Sequence, residues 1–267
     1  MLDGKRALVL GVANDHSIAW GIARALHGAG AELCLTHQGE AFGRRLAPLA
    51  ESVGCDFTHD VDVTDPASVD ALFEAVAERW GRLDVLVHAI AFSDKRELTG
   101  RFVETTRANF AHSLDVSCYS LIDLSRRAAP LMAREEGDHA SRGGAILTLT
   151  FEGARRVMPH YNVMGVAKAA LEASVRALAA DLGPEGIRVN ALSPGPMKTL
   201  AGSAIGGARR TFRHAEANAP LRANATLEAI GGTAVWLASE AGACTTGEIV
   251  HVDGGFHAMG MPVPENL

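Results

Sequence analysis

At 267 residues with 48% hydrophobic content, the chain can bury a sizeable core in a single α/β domain, 1–267, and no Pro- or Ser-rich linker divides it. Its formal net charge of -6 argues against nonspecific nucleic-acid binding, and no apolar run approaches the ~20 residues of a membrane span or resembles a signal segment, so the cytoplasm is the expected location. Cys34, Cys55, Cys118 and Cys244 are scattered, with no Cys-x-x-Cys pair and no His at zinc-ligand spacing, which points to reduced thiols and to no metal.

The first apolar run, Ala7 to Leu10, reads as a buried strand ending at Gly11. The following turn, Val12 to Gly21, enters a helix expected over Ala19 to Gly30, so it stands where a phosphate-binding turn would stand. Its lettering is not Gly-x-Gly-x-x-Gly. Gly11 alone remains at the turn, and Ser17, with Ile18 after it, supplies a hydroxyl and backbone N–H groups at the helix start. A second strand, Leu33 to Thr36, leads to Gln38, where an acidic residue commonly binds the adenosine ribose. Gln38 is neutral, so charge alone does not choose between NAD and NADP. Arg44 and Arg45 either reach a 2′-phosphate or are solvated, and NADH is the reading adopted. After a third strand, Asp62 and Val63 are placed to meet the adenine ring; alternatively Asp62 is a helix-capping acid. Thr64-Asp65-Pro66 announces a helix through Trp80.

Further strands are expected at Val85 to Val87, Ala145 to Leu149, Ile187 to Ala191 and Glu248 to Val252. Strands alternating with amphipathic helices mean a parallel sheet with its ligand site at the strands' carboxyl ends. Two segments break the rhythm. Glu135 to Gly144 reads as a surface loop, and Lys198 to Pro220, a helix-like pattern interrupted by Gly202, Gly206 and Gly207, reads as a substrate lid.

Met158 to Lys168 carries the chemistry. The seven-residue step from Tyr161 to Lys168 returns to within ~20° of one helical face with ~10 Å of rise, so a phenol and an ammonium can serve one ligand. Pro159 before the apolar run and Gly183-Pro184 after it frame one helix. Without further context, the pair equally fits a core-edge Tyr and a solvated Lys.

Five segments together resemble the enoyl-acyl-carrier-protein reductases, a divergent branch of the short-chain dehydrogenase/reductase superfamily. They are Gly11 to Gly21, Val87-His88-Ala89-Ile90-Ala91-Phe92, Tyr161 to Lys168, Ser193 to Leu200, and His251-Val252-Asp253-Gly254-Gly255. Ordinary members of the superfamily place Lys four residues after the catalytic Tyr; here that position is Gly165, and Lys168 fits the longer spacing of the enoyl reductases. The resemblance implies a doubly wound, Rossmann-type parallel sheet, a nicotinamide cofactor (NADH), a homotetramer, and reduction of a trans-2-enoyl thioester in fatty-acid elongation. It implies Tyr161 as donor to the thioester oxygen, with the Lys168 ammonium favouring its ionised form, and Lys168 as the group holding the nicotinamide ribose. It also implies Ile90 and the segment Pro196 to Thr199, Met197 included, around the nicotinamide, with Thr199 near the carboxamide or the pyrophosphate, Gln38, Asp62 and Val63 at the adenosine end, and Ser93, Phe151 and Tyr161 toward the substrate.

Three features depart from the family pattern. Phe151 stands where bacterial members often carry a second Tyr, which is read as reshaping the acyl pocket. Glu152 places a charge beside an apolar channel, to be resolved by solvent, by Arg155 or Arg156, or by a more polar substrate. Ala89 and Ala91 replace the usual Ser and Gly. Arg209, Arg210 and Arg213, at helical spacing beside the lid, form either a docking patch for acidic acyl carrier protein or a solvated face. Two other activities remain open: a paralogue reducing another carbonyl or enoyl substrate, and a non-catalytic dinucleotide-binding regulator.

Overall fold

The computed structural model describes residues 1–133, 143–199, 202, 207–263 and 265. Seven strands build one sheet: β1 (Arg6–Leu10), β2 (Glu32–His37), β3 (Thr58–Asp60), β4 (Val85–His88), β5 (Ala145–Leu149), β6 (Arg188–Pro194) and β7 (Ile249–Val252). Their order is β3-β2-β1-β4-β5-β6-β7, with every neighbouring pair parallel. β3 has no apolar run to betray it, because Thr58-His59-Asp60 sits at the sheet edge with both of its end residues exposed.

Successive side chains of a strand point to opposite faces, and the core divides accordingly. Leu8, Leu10, Leu86 and Ile146 enter one cluster with residues of α3 (Pro66–Trp80), α5 (Ser120–Met132) and α6 (Asn162–Leu182). Ala7, Val9, Val85, Val87 and Leu147 enter the other, with α1 (Ile18–Gly28), α2 (Gly39–Ser52) and α8 (Leu227–Ala238). Strand residues buried on both faces explain why these strands read as continuous apolar runs. Further α-helices among the described residues are α4 (Arg107–Leu114), which a five-residue π-helical turn, Asp115–Tyr119, joins to α5, and α7 (Ala208–Asn218).

The sequence of strands runs outward from β1 to β3, then returns to β4 on the other side of β1. That reversal opens a crevice at the carboxyl ends of β1 and β4, where Leu10 and His88 are partners in register. α3 begins as expected, with Asp65 accepting from the Ala67 N–H and Pro66 in its first turn. α6 differs at its start. Pro159 does not open it; the chain passes through His160 at φ +61°, and the helix begins at Asn162 with Tyr161 as its N-cap. Most of the expected surface loop Glu135 to Gly144 lies outside the described residues, and its last residue, Gly144, is buried against Met132. Of the expected lid 198–220, residues 200, 201 and 203–206 lie outside the described residues, and α7 forms its second half.

Candidate active site

The expected cofactor residues fall at the carboxyl edge of the sheet: Gly11 after β1, Gln38 after β2, Asp62 and Val63 after β3, Ile90 after β4, and Met197 and Thr199 after β6. Gly11 is fixed by geometry. Its φ is +96°, and a Cβ there would stand 2.1 Å from the Ala89 carbonyl oxygen. No other residue lets the ends of β1 and β4 approach so closely. Ser17 is buried and its hydroxyl donates to the Asn14 carbonyl at 2.6 Å, so it does not cap α1, whose start has no side-chain cap. An uncapped helix start beside a glycine turn fits an anion such as a pyrophosphate.

At the adenosine end, Asp62 accepts from the Thr64 N–H at 2.8 Å and from its hydroxyl at 2.7 Å, and these bonds hold its pKa below the usual carboxylate range, with a smaller contribution from Gln38. Asp62 therefore shapes its own loop, while Asp65 performs the helix capping. Arg44 pairs with Glu40 at 2.7 Å, and Arg45 lies over the Phe42 ring. Val63 and Ile90 are half-buried against the same core cluster. Met197 packs against the other cluster, and Thr199 accepts from the Gly202 N–H at 2.9 Å.

Tyr161 and Lys168 are both buried, at 7% and 5% exposure. Tyr161 packs with Leu98, Met164, Phe151 and Met158, and the Phe151 ring meets it edge-on at 5.2 Å. A Cβ on Gly153 would fall 2.4 Å from Tyr161 Cδ1, so the turn after β5 lies directly against the phenol ring. Both neighbours in the chain have positive φ, His160 at +61° and Asn162 at +30°, a conformation L-residues rarely adopt. Asn162 is held there by donating to the Glu97 carbonyl at 2.9 Å.

Burial raises the Tyr161 pKa, keeping the phenol protonated. The Lys168 Nζ donates to the Leu149 carbonyl at 2.8 Å. Burial also lowers Lys168 to about 8, with Cys118 and Glu172 opposing the shift.

Ser93 is bound inward: its hydroxyl donates to Asn109 at 3.3 Å and accepts from Ser113 at 3.0 Å. Glu152 is neither solvent-facing nor paired with Arg155. It is buried and pairs with Arg156 at 3.0 Å, while Arg155 pairs with Glu172. Burial still pushes the Glu152 carboxyl upward, and its Oε2 lies 3.8 Å from His251 Nε2.

His88 is a site-shaping residue that sequence reasoning missed. Its ring is fully buried between Thr148 and Ser120, each at 2.8 Å, and burial followed by the nearby Lys168 charge lowers its pKa to about 3. Ser120 gives its own proton to the Val116 carbonyl at 2.7 Å, so it accepts from Nε2, and the Thr148 hydroxyl faces both the unprotonated Nδ1 and the His88 carbonyl, the latter at 3.2 Å. A neutral imidazole thereby ties β4 and β5 to the start of α5. Its partners lie 32 and 60 residues away, and no local pattern announces them.

Residues 11–257 match the family model described as enoyl-(acyl carrier protein) reductase. An enoyl-acyl-carrier-protein reductase (NADH) of Rhizobium meliloti is 53% identical over all of this chain and 97% of its own length. Another, from Rickettsia bellii, is 50% identical over 97% of this chain and 96% of its own. The crystal structure of the Anaplasma phagocytophilum enoyl reductase in complex with NAD superposes with a TM-score of 0.91 at 49% identity, covering 99% of this chain and 96% of that one. With the match extending from the Gly11 turn to beyond β7, this chain belongs to the enoyl-(acyl carrier protein) reductase family.

Proposed function

We propose that this protein is an NADH-dependent reductase of 2-enoyl thioesters carried by acyl carrier protein, acting in fatty-acid elongation. The observation that carries the reading is the buried Tyr161 and Lys168 pair, at the spacing of the family, with Lys168 bound to the carbonyl of Leu149 at the carboxyl end of β5. NADH, when bound, supplies a hydride to the β-carbon of the substrate. Gly11, the start of α1, Gln38, Asp62, Val63, Ile90, Met197, Thr199 and Lys168 are the residues that would hold it.

As negative charge develops on the thioester oxygen, Tyr161 offers a neutral phenol O–H, kept protonated by burial. Lys168, charged below about pH 8, would donate to the cofactor's ribose hydroxyls on this reading. Phe151 and the apolar cluster around Tyr161 exclude water from the reacting carbons, and the segment with Ser93 borders the substrate entrance. On this reading Arg209, Arg210 and Arg213 of α7 attract the acidic carrier, and the protein works in the cytoplasm as a homotetramer. Exposed Phe110, Tyr119, Ile122 and Val166 on α4 to α6 support burial of that face between subunits.

The test is the loss of NADH absorbance with a crotonyl or longer 2-enoyl thioester, repeated with NADPH and with Tyr161→Phe. Turnover with NADH that falls about 100-fold or more in the variant is expected. NADH binding without turnover of any enoyl thioester would sink the reading.

A further inference from the structure

A cavity of about 1330 Å3 lies between the segment following β4 and α7. Five cationic side chains line it, Lys95, Arg96, Lys198, Arg209 and Arg213, against one carboxylate, Glu216. The chain as a whole carries -6, so this concentration of positive charge is local and opposite to the composition. Met197 and Thr199 line the same cavity, which connects the cations to the nicotinamide end of the site.

Two separate segments supply the charges. Arg209 and Arg213 are one turn apart on α7, whereas Lys95 and Arg96 belong to the loop after β4. That loop is anchored. The Asp94 N–H donates to buried Asn109 at 2.9 Å, and the Asp94 carboxylate takes Arg96 Nε at 3.1 Å and Nη2 at 2.6 Å. Asp94 offsets part of the Arg96 charge but fixes its position. Lys95 is exposed and has no ion pair among the described residues, and Lys198 lies over the Phe212 ring at 4.5 Å.

We propose that this mouth binds the phosphate of a phosphopantetheine arm, with Lys95 and Arg96 forming its second wall across from Arg209 and Arg213. The inference rests on the enoyl-thioester reading. A thioester that reaches Tyr161 must trail its arm outward, and the charged group at the far end of that arm is a phosphate. On the same reading the cofactor's own pyrophosphate is assigned to the Gly11 turn and the uncapped start of α1. Both coenzyme A and acyl carrier protein present the same phosphorylated arm, so cations at the mouth recognise what the two carriers share.

The experiment compares kcat/KM for crotonyl-4′-phosphopantetheine with that for crotonyl-pantetheine, which lacks only the phosphate, in wild type and in Lys95→Ala with Arg96→Ala. Wild type should favour the phosphorylated thioester, and the double variant should lower that ratio by about tenfold at low salt, as should raising salt on wild type. Lys95→Arg, which keeps the charge, should retain the ratio. An unchanged ratio in the double variant overturns the proposal, as does a raised KM for NADH as the only effect. Equal losses for crotonyl thioesters of coenzyme A and of acyl carrier protein support recognition of the shared phosphate. A loss confined to coenzyme A, which carries additional phosphates, overturns it. Turnover of neither crotonyl thioester would instead remove the reductase reading itself.

Discussion

Lys168 carries a cost that can be measured without any substrate. Burial lowers its pKa from 10.5 to about 8, so between those values the unfolded chain binds more protons than the folded one, and stability rises with pH across that window. At pH 7 both states are protonated and the folded protein bears the full penalty, about 3 kcal/mol for the difference between the two pKa values. Lys168→Met keeps an unbranched stem and removes the charge. It also strands the Leu149 carbonyl that Nζ now serves at 2.8 Å, at a cost of ~1–2 kcal/mol. The variant should therefore be more stable than wild type by about 1–2 kcal/mol at pH 7, and the gain should shrink or reverse by about pH 10. Urea unfolding of ligand-free protein at the two pH values reads this directly, because other titrating groups cancel between variant and wild type. The same variant should lose nearly all turnover, and wild-type kcat/KM for NADH should fall as pH rises through about 8, where the ammonium is lost. A difference in stability that does not change with pH would refute the assignment of a desolvated charge to Lys168.

Three further outcomes follow from the geometry. Gly11→Ala forces a Cβ to 2.1 Å from the Ala89 backbone at φ +96°, and should cost about 2–4 kcal/mol in unfolding experiments and weaken NADH binding measured by fluorescence titration. Phe151→Tyr adds a hydroxyl to the ring that meets Tyr161 edge-on, and should alter chain-length preference across a series of 2-enoyl thioesters while hydride transfer persists; an unchanged profile would count against Phe151 as part of the acyl pocket. Glu152→Gln should raise the midpoint of thermal unfolding at pH 7 to 8, because the raised carboxyl pKa means the ionised form destabilises the fold there. The gain should disappear as pH falls toward the ordinary carboxylate range, where wild type is protonated in both states.

Much of the fold was legible because its strands are buried on both faces. Leu8, Leu10 and Leu86 fill one side and Val9, Val85 and Val87 the other, so period and composition agree. β3 escaped that logic, being three polar residues at an edge. The Tyr161 and Lys168 pair was visible as a spacing, but not the conformation that seats it. Positive φ at His160 and Asn162 displaces the helix start past Pro159, and the only hint in sequence was a polar His160-Tyr161-Asn162 triplet at the start of an apolar helix. The partners of Glu152 were legible as alternatives, Arg155 or Arg156. Only the fold assigned Arg156 to it, by bringing Glu172 to Arg155. His88 stood inside a segment that carried the resemblance, but its role was not legible there, since its hydrogen bonds run to Thr148 on β5 and to Ser120 at the start of α5.

Burial acts on the two central groups in opposite senses, and that divides their roles. It raises the phenol of Tyr161 and lowers the ammonium of Lys168 to about 8, because in each case the charged form is the one that loses water. On the proposed reading, Tyr161 is therefore kept as a neutral O–H donor suited to stabilising charge at the thioester oxygen as it develops. Lys168 is the group whose state changes near neutral pH. His88 beside it is held neutral by the same burial and by the Lys168 charge, so it adds no second positive charge to the site. The upper limb of the pH profile accordingly belongs to Lys168, and Tyr161→Phe should lower turnover without moving that limb, while His88→Asn, which disturbs the packing beneath Lys168, should move it.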